Sequence, residues 1–269
     1  MFVPKRLLPA SIGVVLSSLI SIPQLNKKDL SIDFPNHFDS FALAQTVQGY
    51  VPPPRRSSRT QRRDGSGSRG GCSNSKAIAT SLTLLVPNDH VPTTVSSHPT
   101  FLWHVSDVVS APVMFTLVEQ QSLKSVFKKQ LKIQKAGIMQ LQIPSTAPAL
   151  VEGRQYRWAV ALVCNKKRPS QNPYAYAWIE RVPLEGKLAQ ILAGVKSRPE
   201  RALILARAGI WYDSASTLYE TSQRNSNKPL AFSAFDSFSK LLKQVGLSGL
   251  SQEVSQVFER QQKISTKSK

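Results

Sequence analysis

Acidic side chains are scarce in this sequence. Against 35 Lys and Arg it sets only 16 Asp and Glu, a formal charge of +19. From Thr80 to Glu185 the acids are Asp89, Asp107, Glu119, Glu152, Glu180 and Glu185, most of them at expected turns or strand ends. That supply does not offer the facing carboxylates that glycoside hydrolysis needs. A Gly-x-Ser-x-Gly elbow is missing too, which removes a common serine-hydrolase arrangement. Cysteine is limited to Cys72 and Cys164, and a cysteine held in a bridge is not a nucleophile. An enzyme is therefore not expected, and no cofactor is. An envelope hydrolase or transferase acting on glycans stands as the alternative class.

Long apolar runs are also missing. The stretch 7–22, LLPASIGVVLSSLISI, follows Lys5 and Arg6 and has the length of a signal-peptide core. It falls short of the roughly 18 to 20 apolar residues that span a bilayer comfortably. Ala42-Leu43-Ala44 before Gln45 is a small-x-small cleavage pattern, although it stands well beyond the apolar run. Residues 1–44 are read as a signal peptide or an uncleaved N-terminal anchor. Either way the body is expected to be exported to the periplasm or cell surface. In that compartment Cys72 and Cys164 are expected to form a disulfide. The bridge would close a loop of roughly 90 residues, worth about 4 to 5 kcal/mol in the chain-entropy account.

The positive excess is spread over every segment of the chain. Such a field draws in polyanions with little selectivity. Its densest part lies in residues 45–79, which lack hydrophobic periodicity and read as a disordered linker rich in proline, arginine and glycine. Pro52-Pro53-Pro54 is followed by Arg55, Arg56, Arg59, Arg62 and Arg63. These five arginines are candidate contacts for an anionic polysaccharide or lipid surface. Residues 51–75 contain no aromatic side chain to stack on bases, so nucleic acid is not the expected ligand. Gly65-x-Gly67-x-x-Gly70 matches the dinucleotide fingerprint only literally, with no strand before it and no helix after.

From residue 80 to 184 short runs alternate with period two. Leu82, Leu84 and Val86 begin the series, and Phe101, Trp103 and Val105 follow. Val113, Phe115 and Leu117 come next, then 125–133, then Met139, Leu141 and Ile143. Tyr156, Trp158, Val160, Leu162 and Cys164 share one face, as do Tyr174, Tyr176 and Trp178. About seven short strands in a hundred residues predict an antiparallel β-sandwich. Leu150, Gly153 and Tyr156 resemble the tyrosine corner of immunoglobulin-like and fibronectin type III domains, and Trp103 sits where such domains carry a core tryptophan. The expected core residues are Trp103, Leu150, Tyr156, Trp158 and Trp178. Cys72, just upstream of the first strand, is placed to pin the linker to the sandwich. His90, His98 and His104 offer no arguable second shell, and a metal is not expected.

Residues 185–262 change to helical period. EGKLAQILAGVK (185–196) is amphipathic, and Ser197-Arg198-Pro199-Glu200 is a capping box. A helical stretch is predicted over 201–224 and another after Pro229. Ala202, Ala206, Gly209, Ala215, Trp211, Tyr212 and Leu218 resemble a tetratricopeptide helix pair. Only one such unit is visible, so a small helical bundle docked on the sandwich is expected. Trp211, Tyr212 and Asp213 are a candidate binding face or, on the plainer reading, part of the helix interface. Residues 263–269 read as a basic tail.

Several segments taken in order resemble the cyanobacterial domain of unknown function 928 family. They are SRGGC (68–72), SLTLLVP (81–87), HPTFLWHV (98–105), GRQYRWAVALVC (153–164), AWIER (177–181), ARAGIWYDS (206–214) and KLLKQVGL (240–247). The resemblance implies a cyanobacterial, exported protein and assigns no activity. Family members often carry more aromatics than Leu102, His104 and 159–161 supply here. The expected function is that of an exported, non-enzymatic binding or scaffold protein. Its partner is expected to be another envelope protein, and self-association as an adhesin-like subunit is the structural alternative.

Overall fold

Two β-sheets face each other, and a layer of helices covers the outside of one of them. The computed structural model describes residues 49–53, 59, 61–65, 81–108, 110–168, 170, 172–224 and 229–267, the last seven by backbone alone. The leader at 1–44, Arg55, Arg56 and Cys72 lie outside the described residues. The strands are β1 (Asp64–Gly65), β2 (Leu82–Leu84), β3 (Thr93–Thr94), β4 (Thr100–Val105), β5 (Val113–Glu119), β6 (Ser125–Leu131), β7 (Gly137–Gln142), β8 (Gln155–Leu162) and β9 (Tyr174–Arg181). The helices are α1 (Gly186–Gly194), α2 (Arg198–Arg207), α3 (Trp211–Gln223), α4 (Pro229–Gln244) and α5 (Ser248–Lys267). No described helix is long and apolar enough to cross a membrane.

One sheet has the order β1-β2-β4-β7 and the other β3-β9-β8-β5-β6. Pairing is antiparallel except between β3 and β9, where Thr93 and Thr94 run parallel to Glu180 and Arg181. This departs from a purely antiparallel sandwich. The period-two alternation decides which side chains meet between the sheets. Phe101, Trp103, Phe115, Leu117, Trp158 and Val160 all point inward and are almost wholly buried. Leu150 is buried, and the Tyr156 hydroxyl accepts a hydrogen bond from the Val151 N–H at 2.8 Å. That contact contributes about 1 kcal/mol, the usual net value for such a bond.

Trp178 does not belong to this core. In β9 the small residues Ala175 and Ala177, with Ile179, face inward, while Tyr174, Tyr176 and Trp178 face out. The interior beside β9 already holds Phe101, Phe115 and Trp158, and alanines fit against these rings where another indole would overfill the space.

The helices share the sandwich core. Trp211, Tyr212, Leu218, Phe238 and Leu242 are packed into the same cluster as Trp103 and Trp158. The sandwich and the helices fall within one compact unit, Leu43–Lys269. Helix α3 lies over the four-stranded sheet: the Tyr219 hydroxyl donates to the Ile138 carbonyl at 3.3 Å, and Glu220 meets Gln140 at 2.8 Å. The helical stretch over 201–224 consists of two helices, α2 and α3, separated at Gly209, whose φ of +83° suits glycine. A side chain there would also press on Pro53, 3.1 Å away. Ser197 caps α2 through the Glu200 N–H, as the capping box predicts. The expected basic tail is in part helical, because α5 continues to Lys267.

Candidate functional site

The outer face of the five-stranded sheet carries the most concentrated chemistry among the described residues. Its inner strands place Arg157 opposite Trp178, Ala159 opposite Tyr176, and Ala161 opposite Tyr174. On the next strand Val118, Thr116 and Met114 stand beside Arg157, Ala159 and Ala161, and Lys128 of β6 pairs with Thr116. The two alanines make a shallow floor between the tyrosines of β9 and the side chains of β5.

Part of the expected linker is built onto this face. The N–H of Arg62 donates to the Tyr176 carbonyl at 3.0 Å, and the Tyr176 N–H donates back to the Arg62 carbonyl at 2.8 Å. Gln61 accepts from the Trp178 N–H and donates to the His90 carbonyl at 2.7 Å. One residue on, the Arg63 carbonyl accepts from the Leu84 N–H at 2.9 Å, and Asp64–Gly65 pairs with Leu82–Thr83. Residues 61–65 therefore strap the edge of one sheet to the edge of the other. Tyr50 is also docked. Its ring packs edge-on to Trp211 at 5.0 Å, and its hydroxyl meets His90 Nε2 at 2.6 Å. At these positions the linker expectation is corrected. Unpaired strand edges accept any chain that can offer N–H and C=O groups, whatever its hydrophobic pattern.

Arg62 of the strap, Arg59 just before it and Arg157 of β8 bring guanidinium groups over the outward aromatic rings. Arg59 lies 4.7 Å from the centre of Trp178, Arg62 4.7 Å from Tyr174, and Arg157 5.7 Å from Tyr176. Tyr174 and Tyr176 stack on each other at 6.2 Å with planes 16° apart. Tyr174 and Arg157 thus both approach the Tyr176 ring, at 6.2 and 5.7 Å. Arg59 Nε donates to Gln155, whose amide donates to Glu180. Beyond the Tyr174 end of the face, Asn165 caps the backbone of Lys167 and Arg168 and orders a basic loop.

The other candidates resolve differently. Arg63 belongs to the frame: its guanidinium donates to the carbonyls of Val245 and Gly246, at the end of α4. Trp211, Tyr212 and Asp213 form the helix–sandwich joint. Trp211 Nε1 donates to the Leu85 carbonyl at 2.9 Å. The Tyr212 hydroxyl accepts from Trp158 Nε1 and donates to the Trp178 carbonyl, each at 2.8 Å. Burial pushes this phenol well above its ordinary value. Asp213 accepts from Thr94 and the Val95 N–H, and burial raises its carboxyl above the ordinary range against those bonds. Cys164 is half-buried at the end of β8, its N–H held by Asn172. Among the described residues no group of three or more His, Cys, Asp and Glu could hold a metal.

Tyr174, Tyr176, Arg157 and Lys128 were not singled out as binding residues from the sequence. The signal was present in YAYAW (174–178), where alanines alternate with aromatics. An inward alanine row implies an outward aromatic one.

A second cleft, of about 140 Å³, lies between β4, β7 and the helices, lined by His104, Ile138, Tyr219, Phe235, Glu253 and Phe258 among others. His104 is lowered from its ordinary 6.5 chiefly by burial, with Glu253, 3.4 Å away, pulling the other way. The unfolded chain therefore takes up this proton at a higher pH than the folded one. Stability contributed by neutral His104 is full above 6.5 and is lost as pH falls from there toward the folded value. We expect His104→Leu to show a smaller loss of urea stability between pH 7 and 5 than the parent. Equal losses would mean that His104 has no part in the acid response.

Comparison with known proteins adds a family and no activity. No curated protein matches the chain. The family model described as Domain of Unknown Function (DUF928) matches residues 64–255. The match begins within the strap, takes in both sheets and runs into α5, leaving Arg59 and Arg62 upstream of it. With most of its length inside that match, the chain belongs to the DUF928 family.

Proposed function

We propose that the chain is an exported, non-catalytic binding protein of the cell envelope whose five-stranded sheet holds an acidic polysaccharide on its outer face. The observation that carries this reading is the set of guanidinium groups laid on Trp178, Tyr174 and Tyr176. A guanidinium held over a ring keeps N–H donors at its rim, where a carboxylate or sulfate can reach them in bidentate fashion. Each such stack is worth about 0.5 to 1 kcal/mol at an exposed site and orients the donors before the ligand arrives. With Tyr174 and Arg157 both close to the Tyr176 ring, stacking of neutral sugar rings is a poorer fit than anion binding. Lys128, the loop at 166–168 and the net charge of +19 extend the attraction.

The finer fold identity belongs to the same proposal. The orders β2-β4-β7 and β9-β8-β5-β6, with the Tyr156 hydroxyl turned back to Val151, support an immunoglobulin or fibronectin III-like sandwich. The short pair α2–α3 supports a single tetratricopeptide-like unit. A bridge between Cys72 and Cys164 fits the oxidising compartment that this reading requires.

Two measurements test the reading. The protein should bind immobilised dextran sulfate and polygalacturonate but not dextran, with affinity falling steeply between about 50 and 300 mM salt. Arg59→Ala, Arg62→Ala and Arg157→Ala combined should weaken binding by about tenfold or more. Equal binding of dextran, an unchanged triple variant, or tighter binding of a single-stranded oligonucleotide would each contradict it. Mass spectrometry of the native protein without reductant should give a chain beginning at Gln45, or an intact N-terminal anchor, with the two cysteines oxidised. Two free thiols would remove the export argument.

A further inference from the structure

The two sides of the sandwich are treated differently, and the difference points to a second binding surface. On one side the strap of residues 61–65 satisfies the edges of β9 and β2 with main-chain hydrogen bonds. On the other side β6, seven residues long, is the last strand of its sheet and pairs only with β5 among the described residues. Such an edge presents unpaired N–H and C=O groups along its length, the ordinary template for adding a strand.

The side chains of this edge are selective. Lys128 and Lys129 lie within β6, Lys124 just before it and Lys132 just after, while β6 itself carries no acid. Lys129 pairs with the inward Phe115 and so projects on the core side of the pleat, yet it is exposed. The nearest acid on the neighbouring strand, Glu119, is engaged by Arg154 and Ser122. A second copy of this strand would set lysine against lysine, which is unfavourable across a ladder. An acidic strand would place carboxylates opposite the same lysines and gain both the main-chain bonds and the cross-strand pairs. Lysine on an edge is a common guard against aggregation, but it guards only against strands that are not acidic.

We propose that the free edge of β6 takes up an extended acidic segment of a partner protein as an added strand. This surface borders the guanidinium face at Lys128 but contains none of its arginines, and its occupant is a peptide and not a polysaccharide. With both surfaces in use, the chain would join an acidic polymer to an acidic protein segment.

The test uses the full chain and a soluble synthetic peptide alternating Val and Glu over about eight residues, long enough to cover β6. Amide hydrogen exchange is followed as the peptide is added. Slowed exchange should be confined to β6, and the matching Val–Lys peptide should have no effect. Lys129→Glu with Lys132→Glu should weaken binding about tenfold, while Arg59→Ala with Arg62→Ala should leave it unchanged. Both lysines are exposed, so the variants keep the core intact. The proposal fails if protection appears at β9 or the strap, if the basic peptide protects β6 equally, or if only the arginine variant loses binding.

Discussion

A sheet that ends must do something with its last row of backbone groups, and this fold depends on how one such edge is closed. The edges of β9 and β2 lie on the same side of the sandwich, and Gln61–Gly65 crosses between them. The crossing is possible because Gly65 comes so near the Tyr174 carbonyl that a side-chain carbon there would sit 2.7 Å from its oxygen. The register of the crossing then places everything else. Arg62 opposite Tyr176 sets its guanidinium over Tyr174, Arg59 falls over Trp178, and Arg63 turns to the end of α4. A segment that satisfies a structural need thereby becomes the carrier of the chain's most ordered positive charge.

The helical layer is joined to the same place. Tyr212 links the indole of Trp158, inside the sandwich, to the backbone of Trp178, whose ring lies outside under Arg59. Tyr50 docks against Trp211 on the adjoining turn. Sheet, strap and helices therefore meet within a few residues of one another. Loss of the strap would expose a sheet edge and release one of the ties on α4, so its effects should not stay local.

What the sequence made legible follows from how far each signal reaches. Period-two alternation is local and strong, and it gave seven of the strands and the inward row of β8. The capping box at Ser197 is also local and correct. The strap was missed because main-chain pairing leaves no mark in side-chain pattern. Arg-Arg-Asp-Gly reads as linker even where it is paired. Trp178 is expected in the core from the sequence, but Ala175 and Ala177 take the inward positions of β9 and turn it outward. Trp211 and Tyr212 could be read as exposed aromatics or as a joint until their indole and hydroxyl partners were known.

For the proposed polysaccharide site, placement and not charge alone makes the arginines a binding surface. Gly65→Val separates the two. It leaves the charge and every arginine unchanged while the strap is driven off the Tyr174 backbone. Affinity for polygalacturonate should fall about as far as it does when Arg59 and Arg62 are replaced by alanine, with the sandwich and helices still folded by circular dichroism. Unchanged affinity in a folded Gly65→Val protein would contradict the account and return the binding to the diffuse positive field.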